Sequence, residues 1–272
     1  MTADTIAAPV RTVEKGFFYS RSDLLAIEEP LQFCLNGSPL SITMRSPGSD
    51  LDLATGFLFT EGIVDDVGQI LSMRAESAED SSDDSCDRVT IRLKPEVAID
   101  PNRIRRNFYT SSSCGVCGKL AMGAIEVRPA RAMRQSGPQF SADLIYRLPD
   151  QLRQTQYAFD RTGGLHAAAL FSPEGTLLGL REDVGRHNAV DKLIGFALRD
   201  GTIPLRDSLI LVSGRAGFEL VQKSVMAAIP VLAAVGAPSS LAAETARRFG
   251  MTLVGFLRGQ RCNIYSGHWR IE

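Results

Sequence analysis

The chain is poor in the residues that would place it quickly. Its five cysteines, Cys34, Cys86, Cys114, Cys117 and Cys262, are too few and too scattered to staple 272 residues by disulfides, so a reducing cytosol is the expected compartment. It has three histidines and one tryptophan. Net charge is only -1, which gives no global field for nucleic acid or an anionic membrane. No apolar run is long enough to span a bilayer. The opening Met1 to Pro9 lacks the basic region and apolar stretch of a secretory signal, which again points to the cytoplasm. What remains, 44% hydrophobic and 22% charged, is the composition of a globular protein with room for one large domain or two ordinary ones.

Four segments are expected. Residues 1–16 show no periodicity and read as a flexible tail. Residues 17–100 read as a small α+β roll. In it, Leu31–Leu35 and Leu40–Met44 flank Asn36-Gly37, a strong two-residue hairpin signal. Asp50 and Asp52 open a helix that carries Leu51, Leu53, Ala54, Phe57 and Leu58 and stops near Gly62. Ile70–Met73 and Arg88–Leu93 form a second strand pair, separated by an acidic, solvated stretch. Residues 101–120 are a connector with Arg103, Arg105 and Arg106, running into a cysteine loop. Residues 121–272 alternate strand and helix. Ser141 caps a helix interrupted or restarted at Pro149, and His166–Phe171 is a buried strand. Later strands cover Ser208–Ser213, Pro230–Val235 and Thr252–Leu257, the last clear one, with helices starting near Arg186, Phe218 and Leu241. Such alternation predicts a mostly parallel or mixed sheet with helices on its faces.

The cysteine loop is Thr110-Ser-Ser-Ser-Cys114-Gly-Val-Cys117-Gly-Lys119. A Cys-x-x-Cys pair can give half a tetrahedral zinc site, cycle as a redox dithiol, or carry sulfur as a persulfide. Zinc needs two further ligands, and no second pair exists. Thioredoxin-like dithiols open a helix early in a domain, whereas Gly118 and Gly123 weaken any helix here. A persulfide carrier needs an accessible thiolate beside a cation, and Lys119 and the arginine cluster supply cations. Two further stretches suit a ligand. Ser213-Gly214-Arg215-Ala-Gly217 turns a strand into a helix, where backbone N–H groups favour anions, although plain turn chemistry explains the glycines equally well. Phe256-Leu257-Arg258-Gly259-Gln260-Arg261 follows the last strand, the usual ligand edge of an open α/β sheet. His187 is a candidate for catalysis or, more simply, for hydrogen bonding, and His166 reads as a satisfied core histidine.

Taken in order, Ser112-Ser-Cys114-Gly-Val-Cys117-Gly-Lys119, Thr162-Gly-Gly-Leu-His166, Glu182-Asp-Val-Gly-Arg-His-Asn-Ala-Val-Asp-Lys192, Ser213-Gly-Arg215 and Gly255-Phe-Leu-Arg258 resemble the formate dehydrogenase accessory sulfurtransferases, the FdhD family. The resemblance implies an α/β fold, α+β overall, with a cytidine-deaminase-like three-layer C-terminal domain behind the roll. It implies a cytoplasmic sulfurtransferase that takes persulfide sulfur from a cysteine desulfurase. The sulfur then goes to bis-molybdopterin guanine dinucleotide molybdenum cofactor, carried as cargo, before the cofactor enters formate dehydrogenase. By this likeness Cys114 carries the persulfide and Cys117 is its partner, while Phe256–Arg261 contact the guanine nucleotide part of the cofactor. Family members are dimers, so a homodimer is expected, with no nucleic acid and no membrane partner. The alternative is a non-catalytic chaperone that shields the cofactor. Deaminase chemistry is not expected, because His166-Ala-Ala168 lacks the glutamate of the H-x-E zinc motif.

Overall fold

Two turns of the same kind organise the first third of the chain. The computed structural model describes residues 5–78, 86–97, 133 and 137–272. In it Asn36 and Gly37 have φ of 49° and 82°, positive at both positions as a type I′ hairpin requires. They join β3 (Glu29–Leu35) to β4 (Ser38–Arg45). Lys15 and Gly16, at 51° and 86°, make the same turn between β1 (Thr5–Glu14) and β2 (Phe17–Ala26). The expected flexible tail is therefore one arm of a ten-pair hairpin for most of its length. Its residues around the turn are exposed on both faces, so no face had to be apolar and no alternation marked it as a strand.

The roll follows expectation. β5 (Ile70–Glu76) and β6 (Asp87–Leu93) pair antiparallel, and β6 lies parallel to β3, giving the order β4-β3-β6-β5. Leu31, Phe33, Leu35, Val89 and Ile91 bury one face of this sheet, and α1 (Asp50–Thr60) belongs to the same core. Gly62, with φ of 72°, follows the helix end as the sequence suggests.

The second sheet is mixed, in the order β12-β11-β10-β9-β7-β8. β9 (Leu209–Val212), β10 (Val231–Ala234) and β11 (Thr252–Arg258) are parallel. β7 (His166–Phe171) with β8 (Leu177–Asp183) on one side, and β12 (Arg261–Ser266) on the other, are antiparallel additions. Successive residues of these strands point to opposite faces. Ala168, Leu170, Ile210, Val212, Leu232 and Leu253 join the core formed with α4 (Arg186–Arg199), α5 (Phe218–Met226) and α6 (Ser240–Arg248). Ala167, Ala169, Phe171, Leu209, Leu211 and Val254 pack on α2 (Ala142–Thr155). Helix, sheet and helices thus form three layers, and the short α3 (Tyr157–Thr162) leads from α2 into β7.

Two expectations for this half need correction. Pro149 does not interrupt α2. A proline removes one N–H donor, but Leu144, Ile145, Leu148 and Leu152 recur at helical spacing and are all buried, so packing keeps the helix continuous. Ser141 does cap it, accepting from the Leu144 N–H at 3.2 Å. Nor is β11 the last strand. β12 returns beside it, mostly exposed and polar, with none of the apolar run that marked β9 to β11.

The layers are locked to the roll by α1 crossing α4. A Cβ on Gly56 would overlap the Asp191 carbonyl, and one on Gly195 would overlap that of Asp52, so the two backbones touch where only glycine fits. Buried charges flank the crossing. Lys223 Nζ reaches Asp191 Oδ2 at 2.8 Å and Thr60 Oγ1 at 2.9 Å. Lys192 Nζ lies 2.7 Å from Asp183 Oδ2 and donates to the Ser46 carbonyl at 2.8 Å. Asp52, on α1, takes Arg181 and Arg199. One hydrophobic core consequently runs from Leu31 in the roll to Leu253 in the second sheet.

Candidate functional site

The carboxyl ends of β9, β10 and β11 lie side by side, and each passes into a glycine-bearing turn. After β9 the Ser213 N–H donates to the Ala167 carbonyl at 3.0 Å. The Ser213 Oγ accepts from the Ala167 N–H at 2.9 Å, so this side chain prolongs the ladder. The turns then bond to one another. Gly236 donates to the Gly214 carbonyl at 3.0 Å, and Phe256 donates to the Gly236 carbonyl at 3.0 Å. A Cβ on Gly236 would come within 2.9 Å of the Gly214 oxygen, and one on Gly255 within 2.7 Å of Pro238 Cδ. Glycine is thus needed at both positions for close approach, beyond turn chemistry alone. Through Gly236, the structure brings the Ser213-Gly214-Arg215 turn beside the start of the Phe256–Arg261 segment, two stretches that the sequence could only name separately.

Phe256 to Arg261 form the bulged tip of the β11–β12 hairpin. Phe256 adopts φ of 53°, unusual for a residue with a side chain, and its ring is 41% exposed. Leu257 faces the other way and is 0% exposed, so its side chain belongs to the core against α2. Arg258 and Arg261 are cross-strand partners around Gly259 and Gln260, and all four are exposed. Like charges directly opposite in a ladder oppose pairing, and an anion between the two guanidinium groups would relieve that repulsion. Arg215 is also exposed on this edge. Cys114, Cys117, Lys119, Arg103, Arg105 and Arg106 lie outside the described residues.

Two histidines that the sequence left apart meet here. His166 is the first residue of β7, and a Cβ on Gly214 would lie 3.2 Å from its Nδ1, so the ring rests on the Gly214 backbone. It is half-buried, where a core histidine was expected. Burial pushes its pKa below the ordinary value, Arg186 and His187 push further, and Asp183 opposes them. His187, in the first turn of α4, places Nε2 3.8 Å from Glu219 Oε2. That is an ion-pair contact too long for a hydrogen bond, and Nε2 is buried without a hydrogen-bond partner. The His187 ring is the main influence holding the Glu219 carboxyl down to about 2, against burial.

The stretch Asp183 to Lys192 has a different part. Asp183 is fully buried and accepts from the backbone N–H of Ser46 and Gly185 and from Asn188 Nδ2, besides pairing with Lys192. Asp191 accepts from Thr60 Oγ1 and Lys223. Most charges of this stretch thus fasten the roll to the second sheet, whereas Arg186 and His187 act on His166 at the strand edge. Sequence reasoning missed this because the partners lie more than 130 positions away. A buried lysine beside an aspartate in an otherwise apolar helix was the available signal.

Fold and edge define a class: a three-layer mixed α/β unit locked to a small roll, with a glycine-turned, arginine-bearing edge at the carboxyl ends of its parallel strands. The FdhD/NarQ family model matches residues 26–272. The chain belongs to that family. It is 49% identical over 261 residues to the sulfur carrier protein FdhD of Streptomyces avermitilis, covering 95% of this chain and 93% of that protein. The Mycobacterium tuberculosis protein of the same name is 47% identical, with 96% of each chain covered. That of Sulfolobus acidocaldarius is 40% identical, with 97% of each covered. A crystal structure from Desulfotalea psychrophila, of a protein proposed to be a formate dehydrogenase accessory protein, superposes with a TM-score of 0.77. It is 22% identical and the match covers 99% of this chain and 100% of that one, so it supports the fold.

Proposed function

We propose that this chain is a sulfur carrier serving formate dehydrogenase, with Cys114 as the nucleophile. The observation that carries the reading is the Cys114-Gly-Val-Cys117 pair in a chain 40–49% identical to proteins named sulfur carrier protein FdhD. On this reading a cysteine desulfurase presents a persulfide, R–S–SH. The Cys114 thiolate attacks its outer sulfur, and the bond between the two donor sulfurs breaks. Cys114 then holds S–SH, and the donor thiolate takes the proton that Cys114 gave up. In delivery, the Cys117 thiolate attacks the Cys114 Sγ, a disulfide forms, and hydrosulfide leaves. The two thiols supply the two electrons that bring the transferred sulfur to the sulfide level, and a thiol reductant resets the pair.

The acceptor is the molybdenum of bis-molybdopterin guanine dinucleotide cofactor, bound as substrate. The Ser213-Gly214-Arg215 turn, anchored through Ser213 to Ala167, and the Phe256–Arg261 tip suit its nucleotide ends: guanidinium groups and the turn's free N–H groups hold phosphate, and the exposed Phe256 ring offers a face to guanine. The working site is the cytoplasm, and the working form a homodimer. The test is mass spectrometry after incubation with a desulfurase and cysteine. Added sulfur should sit on Cys114 in the parent chain and be lost in Cys114→Ala; undiminished loading of that variant overturns the reading. The cofactor half is tested by guanosine diphosphate (GDP), which should raise the melting temperature through ligand linkage.

A further inference from the structure

Resting on the cofactor-binding part of the proposed function, we propose that His166 and His187 line a phosphate subsite behind the Ser213-Gly214-Arg215 turn, and that His166 takes up a proton when the subsite fills. Nothing in the sulfur chemistry of Cys114 and Cys117 calls on these rings, and the seam does not use them. Only three histidines occur in the chain; His166 rests on this turn, and His187 lies close enough to His166 to lower its pKa.

Unmet hydrogen-bonding capacity marks the place. His187 Nε2 is buried without a hydrogen-bond partner among the described residues, and the His166 ring lies half-buried on the Gly214 backbone. Most polar groups held in such places are satisfied. The charges facing them are unbalanced. Arg186 and His187 come from α4, and Arg215 from the turn itself. Asp183, from β8, is the carboxylate nearest His166 in effect, but it is committed to Lys192 and to three hydrogen bonds from Ser46, Gly185 and Asn188. Glu219, from α5, stands 3.8 Å from His187 and is more than half exposed. An oxyanion fits the surplus of donors.

The proton follows from electrostatics. In the empty site burial, Arg186 and His187 favour the neutral form of His166, and Asp183 opposes them. A phosphate against Gly214 supplies a negative charge and an acceptor, and both favour the imidazolium. The bound state then holds more protons than the free state, so binding tightens as pH falls below neutrality. The preference is up to about tenfold for each pH unit by which the ligand raises the His166 pKa.

The test is calorimetric titration of the full chain with GDP at pH 6 and pH 8. Each pH is run in two buffers of different ionisation enthalpy, which counts protons taken up. The parent chain is compared with His166→Asn and His166→Gln, each first checked for an unchanged melting temperature in the absence of ligand. Because the ligand is common to all, titration of its own phosphate cancels. Proton uptake at pH 6 by the parent and not by the variants, with the parent gaining about tenfold over them between pH 8 and pH 6, is the expected result. His187→Asn removes a ring that lowers the His166 pKa and should move the uptake to higher pH. GDP binding with identical proton counts in parent and variants overturns the subsite and leaves the cofactor reading standing. If GDP does not bind but inorganic pyrophosphate binds with His166-linked uptake, the subsite stands and the guanine reading falls. Failure of both probes removes both.

Discussion

The seam between α1 and α4 and the edge at the carboxyl ends of β9 to β11 use the same residue types to opposite ends. At the seam, glycines let two helix backbones touch, and every buried charge has an opposite partner: Lys223 with Asp191, Lys192 with Asp183. At the edge, glycines let three turns crowd together, while Arg215, Arg258 and Arg261 are exposed and His187 Nε2 lacks a hydrogen-bond partner among the described residues. Satisfied charge in the interior specifies one arrangement of the layers. Unsatisfied charge on a rigid rim is where a ligand of opposite sign is favoured.

Substitutions should separate the two regions. The largest effect is expected at Asp191→Ala, which leaves the buried Lys223 ammonium with Glu61, at 3.5 Å, as its charged partner and should cost about 3–5 kcal/mol of stability. Urea denaturation would show it, and a midpoint near the parent's would mean that the seam is solvated. Gly195→Ala should follow, at about 1–3 kcal/mol or more, since its new methyl has only the α1 backbone to displace. Arg258→Ala combined with Arg261→Ala should change unfolding by no more than about 0.5 kcal/mol. The same double variant should weaken GDP binding several-fold; unchanged affinity would move the ligand away from the hairpin tip. The smallest effect belongs to Glu219→Gln. The Glu219 carboxyl is held down to about 2, below its unfolded value, so its contribution is present above the unfolded pKa and disappears as pH falls toward 2. Being 54% exposed, it is worth only a few tenths of a kcal/mol after solvent screening, and a pH series of melting temperatures should converge with the parent's at the acid end.

This contrast also accounts for what could be read in advance. Asn36-Gly37, the apolar runs of β9 to β11 and the Ser141 cap announce local geometry, and local geometry is what neighbouring residues encode. The Ser213 turn and the Phe256–Arg261 tip were recognisable as ligand-edge candidates because each follows a legible strand. Their junction through Gly236 was not, since it joins three strand ends far apart in the chain. The β1–β2 hairpin and β12 escaped because they are largely exposed and needed no apolar periodicity. Asp183 and Lys192 were legible only as part of a family likeness; their burial and pairing show that they fasten the second sheet to the roll.

The shared core has a consequence for biogenesis. Strands β3 to β6 and helix α1 leave the ribosome first, yet Asp52 waits for Arg181 and Arg199, Thr60 for Asp191 and Lys223, and Ser46 for Asp183 and Lys192. The early half of the nascent chain therefore carries uncapped apolar surface until its partners in the second half, as far as residue 223, have been made.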